Sequence, residues 1–243
     1  MFNTFGSQPA DVRFYVGHGP MPERHTRPSL KSSRSDGPGY QEPGAANRVL
    51  DVTVALAAIV FFGPLMLLIA FAIAASGGPV LFRQMRLGQG GDLFTCLKFR
   101  TMYVDAEQLL AEVLANDPIA LAGWEREHKL RRDPRVSTVG RFLRKTSLDE
   151  LPQLFNVLAG SMSIVGPRPI VAAEARRYGR YIQNYCEVRP GITGLWQISG
   201  RNETSYRRRV ACDVAYVRTK SAMTDLLIIL KTVPAVCMAR GAY

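Results

Sequence analysis

From Val52 to Phe82 the chain carries no charged residue, and Gly63-Pro64 sits inside the most apolar part of the run. A membrane-spanning helix takes about 20 apolar residues, and Val52 to Ala75 is long enough to supply them. Proline in a helix removes a hydrogen bond and clashes one turn back, and the adjacent glycine loosens the same turn. The run therefore predicts two half-helices with a break between them. Such a segment either crosses a bilayer as a kinked span or dips in and returns. Hydropathy alone favours the span, since membrane helices tolerate a proline kink. The flanks favour the return. Arg24, Arg27, Lys31, Arg34 and Arg48 precede the run, and Arg83, Arg86, Lys98 and Arg100 follow it. Basic residues favour the cytoplasmic side, so both ends read as cytoplasmic. On these grounds both topologies stay open.

The length of 243 residues allows one substantial domain with appendages. A net charge of +11 fits nucleic acid, an anionic lipid surface or a phosphorylated substrate. Nucleic acid is the weakest of these, because no binding module is recognisable and aromatic residues do not interleave with the basic ones. Cys96, Cys186, Cys212 and Cys237 show no paired spacing. They read as reduced and buried cysteines of a cytoplasmic domain, not as a disulfide framework or a zinc site.

Residues 1–46 are rich in Gly, Pro, Ser and Arg and read as a disordered tail. The membrane segment takes 47–76, and 77–243 remain for a cytoplasmic catalytic domain. Val80 to Arg83 and Leu93 to Phe99 predict a hairpin around the turn Gly88 to Asp92. Asp105 to Ala115 has helical spacing, with Ala106, Leu109, Leu110, Val113 and Leu114 on one face. Further helices are predicted from Pro118 to His128, Val139 to Lys145, Val171 to Gln183, Glu203 to Lys220 and Asp225 to Val236. The last of these is apolar enough to lie in a membrane interface. The fold class is α+β, mostly helical with a small β-hairpin.

Only His18, His25 and His128 are present, which disfavours serine or cysteine nucleophiles activated by histidine. What remains is carboxylate, arginine and lysine chemistry. It suits phosphate, because carboxylates hold a hard cation such as Mg2+ and guanidinium forks clamp phosphoryl oxygens. These groups concentrate between Arg141 and Pro169. Asp149 and Glu150 are adjacent acids just after Arg144 and Lys145. Ser147 and Glu150 have capping-box spacing, which starts a helix at Leu148, unless the helix begins nearer Pro152. In either register the acids lie at a helix N-terminus, where the dipole favours anions. Gly166-Pro167-Arg168-Pro169 presents one arginine between two backbone-fixing prolines. Lys98 and Arg100 close the second hairpin strand and can face the same pocket. Trp196 can stack on a base or pack. Arg207-Arg208-Arg209 reads as a solvated helix face, with anionic headgroups as the competing partner.

Several stretches together resemble the bacterial monotopic phosphoglycosyl transferases, and most of all their exopolysaccharide-initiating members. They are Arg48-Val49-Leu50-Asp51, Leu97-Lys98-Phe99-Arg100-Thr101-Met102, Arg132-Asp133-Pro134-Arg135, the run from Gly140 through Pro169, Arg189 to Gly194, and Ser199-Gly200-Arg201. They occur in the family's order over roughly residues 47 to 243. The resemblance implies transfer of galactose or glucose 1-phosphate from a UDP-sugar to undecaprenyl phosphate, with release of UMP. It implies Asp149 as the nucleophile that carries the phosphosugar, Glu150 as its partner with Mg2+, and Pro167-Arg168-Pro169 as a nucleotide-binding element. Lys98, Arg100 and Arg144 match basic positions near the phosphates. It also implies a re-entrant helix broken at Gly63-Pro64, a bacterial inner-membrane location and a possible homodimer. Two positions depart from the pattern. Gly63 stands where many members have serine, and Ser161 where an acid is frequent. The reading from a different class is a non-catalytic membrane adaptor that binds anionic lipid or a partner glycosyltransferase.

Overall fold

The apolar run folds as one helix. In the computed structural model, which describes residues 44–127, 130, 133–199 and 205–237, helix α1 extends over Ala45–Ala74 with Pro64 inside it. The two half-helices expected on either side of Gly63-Pro64 are thus a single element. Proline forfeits its own N–H bond, but the bonds of the turns before and after it survive and carry the helix through. Asp51, Ala55, Met66, Ile69 and Ile73 of α1 are buried. Val60, Phe61, Leu67, Leu68 and Phe71 are exposed. Only 17% of its most apolar window is buried, and α1 is long and apolar enough to cross a membrane.

Both ends of α1 are fastened to the rest of the chain. Near its start, Arg48 donates to the carbonyls of Val157 and Leu158 at 2.7 and 2.9 Å. The Asp51 carboxylate accepts from Ser163 Oγ and the Ile164 N–H, both at 2.8 Å. At its far end, Arg100 Nη2 donates to the Ile73 carbonyl at 3.2 Å and to Ser76 Oγ at 2.8 Å.

Strands β1 (Leu81–Leu87) and β2 (Leu93–Phe99) form the expected antiparallel hairpin, with Leu81 opposite Phe99 and Leu87 opposite Leu93. The first strand runs four residues further than expected, to Leu87. Helix α2 (Ala106–Asn116) half-buries the face predicted for it, and α3 (Pro118–Glu127) follows. Asp117 Oδ1 caps α3 by accepting from the N–H groups of Ile119 and Ala120. Helix α4 (Thr138–Thr146) starts on Ser137, whose hydroxyl accepts from the Gly140 N–H.

The expected capping box at Ser147 does not form. Ser147 takes a left-handed conformation with φ 59° and ends α4. A residue used in that way cannot also serve as an extended N-cap. Leu148–Glu150 is a 3₁₀ turn, and α5 (Gln153–Leu158) begins after Pro152, the second of the two registers read from the sequence.

Beyond α5, β3 (Ser163–Val165) pairs in parallel with β4 (Gly191–Thr193), a second small sheet with no counterpart in the sequence reading. Between them the helix expected over Val171 to Gln183 is divided. It becomes two 3₁₀ turns, α6 (Ala175–Tyr178) and α7 (Ile182–Glu187), interrupted where Gly179 adopts φ 52°. The chain continues with α8 (Leu195–Ile198), α9 (Tyr206–Thr219) and α10 (Ala222–Cys237), the last with Pro234 inside it. Expectations for residues 1–43, His128, Arg132, Gly200-Arg201 and the start of the helix at Glu203 lie outside the described residues.

One core cluster joins Ala55 of α1 to Cys96, Leu154, Val157, Met162, Val165, Tyr216 and Ile228. A second joins Met66, Ile69 and Ile73 of α1 to Phe99 and Leu143. The membrane-type helix is therefore part of the packing of the domain along most of its length.

Candidate active site

Three short elements deliver the charged residues to one cleft. Strand β2 supplies Lys98, the 3₁₀ turn supplies Glu150 to the lining with Asp149 beside it, and the loop after β3 supplies Arg168. Lys98 Nζ lies 2.6 Å from Glu150 Oε1 and 3.8 Å from Asp149 Oδ2. Arg168 Nη2 lies 3.1 Å from the same Glu150 oxygen.

The two acids sit in opposite electrostatic states. Burial alone would raise Glu150, but Arg168 and Lys98 outweigh it and hold the carboxyl down at about 2. Burial pushes Asp149 above the ordinary aspartate range, opposed by Lys98 and reinforced by the charge of Glu150. Adjacent carboxylates in a partly dry site repel, so one takes the cations and the other stays the stronger base. A buried, basic carboxylate beside cations has the character of a nucleophile for an electrophilic phosphorus. The helix dipole expected to favour these anions is weak here, because α5 is only six residues long and starts after the acids.

Close backbone contact fixes the Arg168 loop. A Cβ on Gly166 would meet the Arg189 carbonyl oxygen at 2.4 Å. One on Gly191 would lie 2.0 Å from the Gly166 nitrogen, and one on Gly194 would lie 2.3 Å from the Gly166 oxygen. Without side chains these strands approach closely enough for Gly166 N–H to reach the Thr193 carbonyl at 2.9 Å and Gly191 N–H to reach that of Pro167 at 2.8 Å. Pro167 is fully buried, and the Pro169 carbonyl accepts from Arg86 Nη1 at 3.1 Å.

The remaining sequence-derived residues fall at different distances from this centre. Arg144 bonds Thr101 Oγ1 at 2.9 Å and reaches Asp149 only through its field. Arg100 lies elsewhere, against Ile73 and Ser76 at the end of α1. Strand β2 ends at Phe99, so the two-residue alternation that would have put Arg100 beside Lys98 stops one residue early. Gly63 and Pro64 lie in the middle of α1, and no atom stands within 4 Å of a Cβ built on Gly63. Trp196 packs, at 7% exposure, with the Arg209 guanidinium 4.9 Å above its ring. Arg209 therefore turns inward, while Arg207 and Arg208 keep the solvated face expected of all three. Cys96, Cys186 and Cys212 are free; Cys96 is buried and the other two are half-buried.

Arg86 and Gln153 also line the cleft and were not singled out from the sequence. The hairpin register would have found Arg86, because Gln84 and Arg86 share a face with Cys96 and Lys98. Gln153 follows Asp149 by one turn of chain.

The turn that carries the acids touches the membrane-type helix. Leu148 and Leu151, which flank the pair, pack against the cluster of Met66, Ile69 and Ile73. No group of three or more His, Cys, Asp or Glu side chains able to hold a metal occurs among the described residues. Two adjacent carboxylates are hard oxygen donors that suit Mg2+ only where substrate phosphates supply further ligands.

The model of the bacterial sugar transferase family matches residues 43–239. The undecaprenyl-phosphate galactose phosphotransferase of Salmonella typhimurium is 47% identical over 196 residues, which is 81% of this chain and 41% of that protein. The exopolysaccharide production protein ExoY of Sinorhizobium fredii is 48% identical over 201 residues, 82% of this chain and 89% of that protein. The UDP-glucose:undecaprenyl-phosphate glucose-1-phosphate transferase of Caulobacter vibrioides is 43% identical over 205 residues, 81% of this chain and 71% of that protein. The chain thus spans less than half of the Salmonella relative and most of the other two.

Proposed function

The chain belongs to the bacterial sugar transferase family, and from that premise we propose that it moves a hexose 1-phosphate, galactose or glucose, from a UDP-sugar to undecaprenyl phosphate. The product is a lipid-linked sugar diphosphate, the first membrane step of exopolysaccharide synthesis, and UMP is released.

In the first step an Asp149 carboxylate oxygen attacks the phosphorus that bears the sugar. The bond from that phosphorus to the bridging oxygen breaks, and UMP leaves with the electron pair. In the second step a phosphate oxygen of undecaprenyl phosphate attacks the same phosphorus. The bond to Asp149 breaks and the carboxylate is restored. Two steps let a water-soluble donor leave before the lipid acceptor arrives. A carboxylate approaching phosphoryl oxygens meets like charge, which Lys98 and Arg168 offset. Glu150 holds both cations in place and stays ionised at any physiological pH. Asp149 and Glu150 are the residues that would hold Mg2+, which when bound neutralises phosphoryl charge.

The same reading makes the chain monotopic at the inner membrane, with both ends of α1 on the cytoplasmic face. Two features support it. The two ends of α1 dock on one domain, and Met223, Leu226, Leu227 and Leu230 expose an apolar stripe on α10.

The observation that carries the proposal is the buried acid pair, gripped by Lys98 and Arg168 on a turn whose leucines rest on α1. The test is UMP release from UDP-hexose by membranes that contain the protein and undecaprenyl phosphate. Asp149→Asn is expected to keep the fold and lose about a thousandfold or more in turnover. An unimpaired Asp149→Asn rate refutes the nucleophile assignment.

A further inference from the structure

Gln153 has no partner for its side chain although it is 2% exposed. It lines the cleft behind the acid pair, and no hydrogen bond from another described residue engages its amide. Its polar atoms are not sealed off from solvent: they open on the cleft and are available to a ligand there. Arg86, across the same cleft, uses its guanidinium on the Pro169 carbonyl and on Gln84 and still faces the recess. It is held close to Arg168, a second guanidinium whose charge opposes its own.

The lining itself selects the ligand chemistry. Arg86, Lys98 and Arg168 face a single lining carboxylate, Glu150, which Lys98 and Arg168 already engage. Among the described residues no aromatic side chain lines the recess, so they offer no ring there for a nucleobase to stack on. Sugar hydroxyls are met by carboxylates and amides that can accept, and here only one amide is free to do so. The surplus is of donors and of positive charge, which is the complement of a phosphate.

We propose that Gln153 and Arg86 are substrate-binding residues that hold the phosphate departing with the nucleoside, Gln153 by donating its amide N–H to a phosphoryl oxygen and Arg86 through its guanidinium. The assignment rests on the donor being a nucleoside diphosphate sugar, as proposed above. It places the reacting phosphorus at Asp149 and the leaving phosphate one turn deeper, beside Gln153. That phosphate gains negative charge as UMP leaves with the electron pair, so its contacts act both on UMP affinity and on the first step.

The test uses the full chain in detergent or nanodiscs, with UMP as the binding probe and uridine as the control that lacks a phosphate. Gln153→Met keeps the length of the side chain and removes both polar atoms. It is expected to weaken UMP binding and to lower kcat/KM for UDP-hexose, each by about tenfold or more. Gln153→Glu adds a repelling charge and is expected to lose more, and Arg86→Lys to lose less than Arg86→Gln. Uridine binding is expected to be the same in all of them. The melting temperature without ligand reports whether each variant folds, and the Arg86 pair carries the test if Gln153→Met does not. Wild-type UMP affinity in folded Gln153 and Arg86 variants overturns the assignment, as does an equal loss of uridine binding. A wild-type protein that releases no UMP from any UDP-hexose instead overturns the reading on which the assignment rests.

Discussion

Lys98 is the residue on which the electrostatics of the site turn. It bonds Glu150 and stands 3.8 Å from Asp149, and its charge is the main influence that opposes the rise of Asp149 on burial. The attacking group must be the carboxylate, so activity falls on the acid side as Asp149 takes up a proton. Burial raises that group, which puts the acid limb of the kcat/KM profile above the ordinary aspartate range. Lys98→Met removes the opposing charge, raises Asp149 further and moves the limb to higher pH. Glu150 stays ionised in the variant, because Arg168 still holds its oxygen. Rates measured between pH 4 and pH 9 check this, and an acid limb that stays put or moves to lower pH contradicts it. At this scale the sequence was informative about identity and poor about neighbourhood. Asp149, Glu150, Lys98 and Arg168 stand out as charged residues in backbone-restricted stretches. Arg86 and Gln153 do not, because what sets them apart is a strand register and a missing partner, both properties of the folded state. Arg100 was grouped with Lys98 by alternation that ends at Phe99.

The parallel pair β3–β4 is the element that aims Arg168. Its strands touch at glycines, and Gly191 is the tightest of them. Gly191→Ala puts a methyl 2.0 Å from the Gly166 nitrogen and 2.6 Å from the Thr193 oxygen, both backbone atoms that cannot rotate away. The expected cost is about 1–3 kcal/mol of stability or more, together with loss of turnover as the Arg168 loop shifts. Thermal unfolding and UMP release measure the two effects, and a variant with wild-type values for both would show that the close approach is dispensable. This sheet could not be read from the sequence. Three-residue strands carry no period, and a parallel pairing between residues 163 and 191 is non-local. Longer elements were legible where one face is apolar: the β1–β2 hairpin, α2 with its half-buried stripe, and α4. The segment from Val171 to Gln183 was misread because helical composition says nothing about the turn that Gly179 imposes. At Gly63-Pro64 the chain stays helical on both sides of the proline and both halves pack on the domain; a bend within α1, the form a proline gives a helix it does not end, is what the proposed return to one face needs.

For the molecule as a whole, α1 decides where the chemistry takes place. Its two ends are bonded to one domain, its outward residues are apolar, and the leucines that flank the acid pair pack against its buried side. The basic flanks favour the re-entrant topology proposed above, whereas hydropathy, which senses length and composition alone, favours a span. Single cysteines introduced at Ala46 and Asp92 are expected to react with an impermeant maleimide from the same face of sealed vesicles, the cytoplasmic one. Reaction from opposite faces would restore the spanning helix. A carboxylate held at that boundary has one chemical signature that no adaptor shares. Protein incubated with UDP-hexose labelled in the phosphate next to the sugar, without acceptor lipid, and then acid-quenched should carry the label on Asp149 and lose it when undecaprenyl phosphate is added. A quenched protein that never carries the label, while lipid-linked product still forms, contradicts the account.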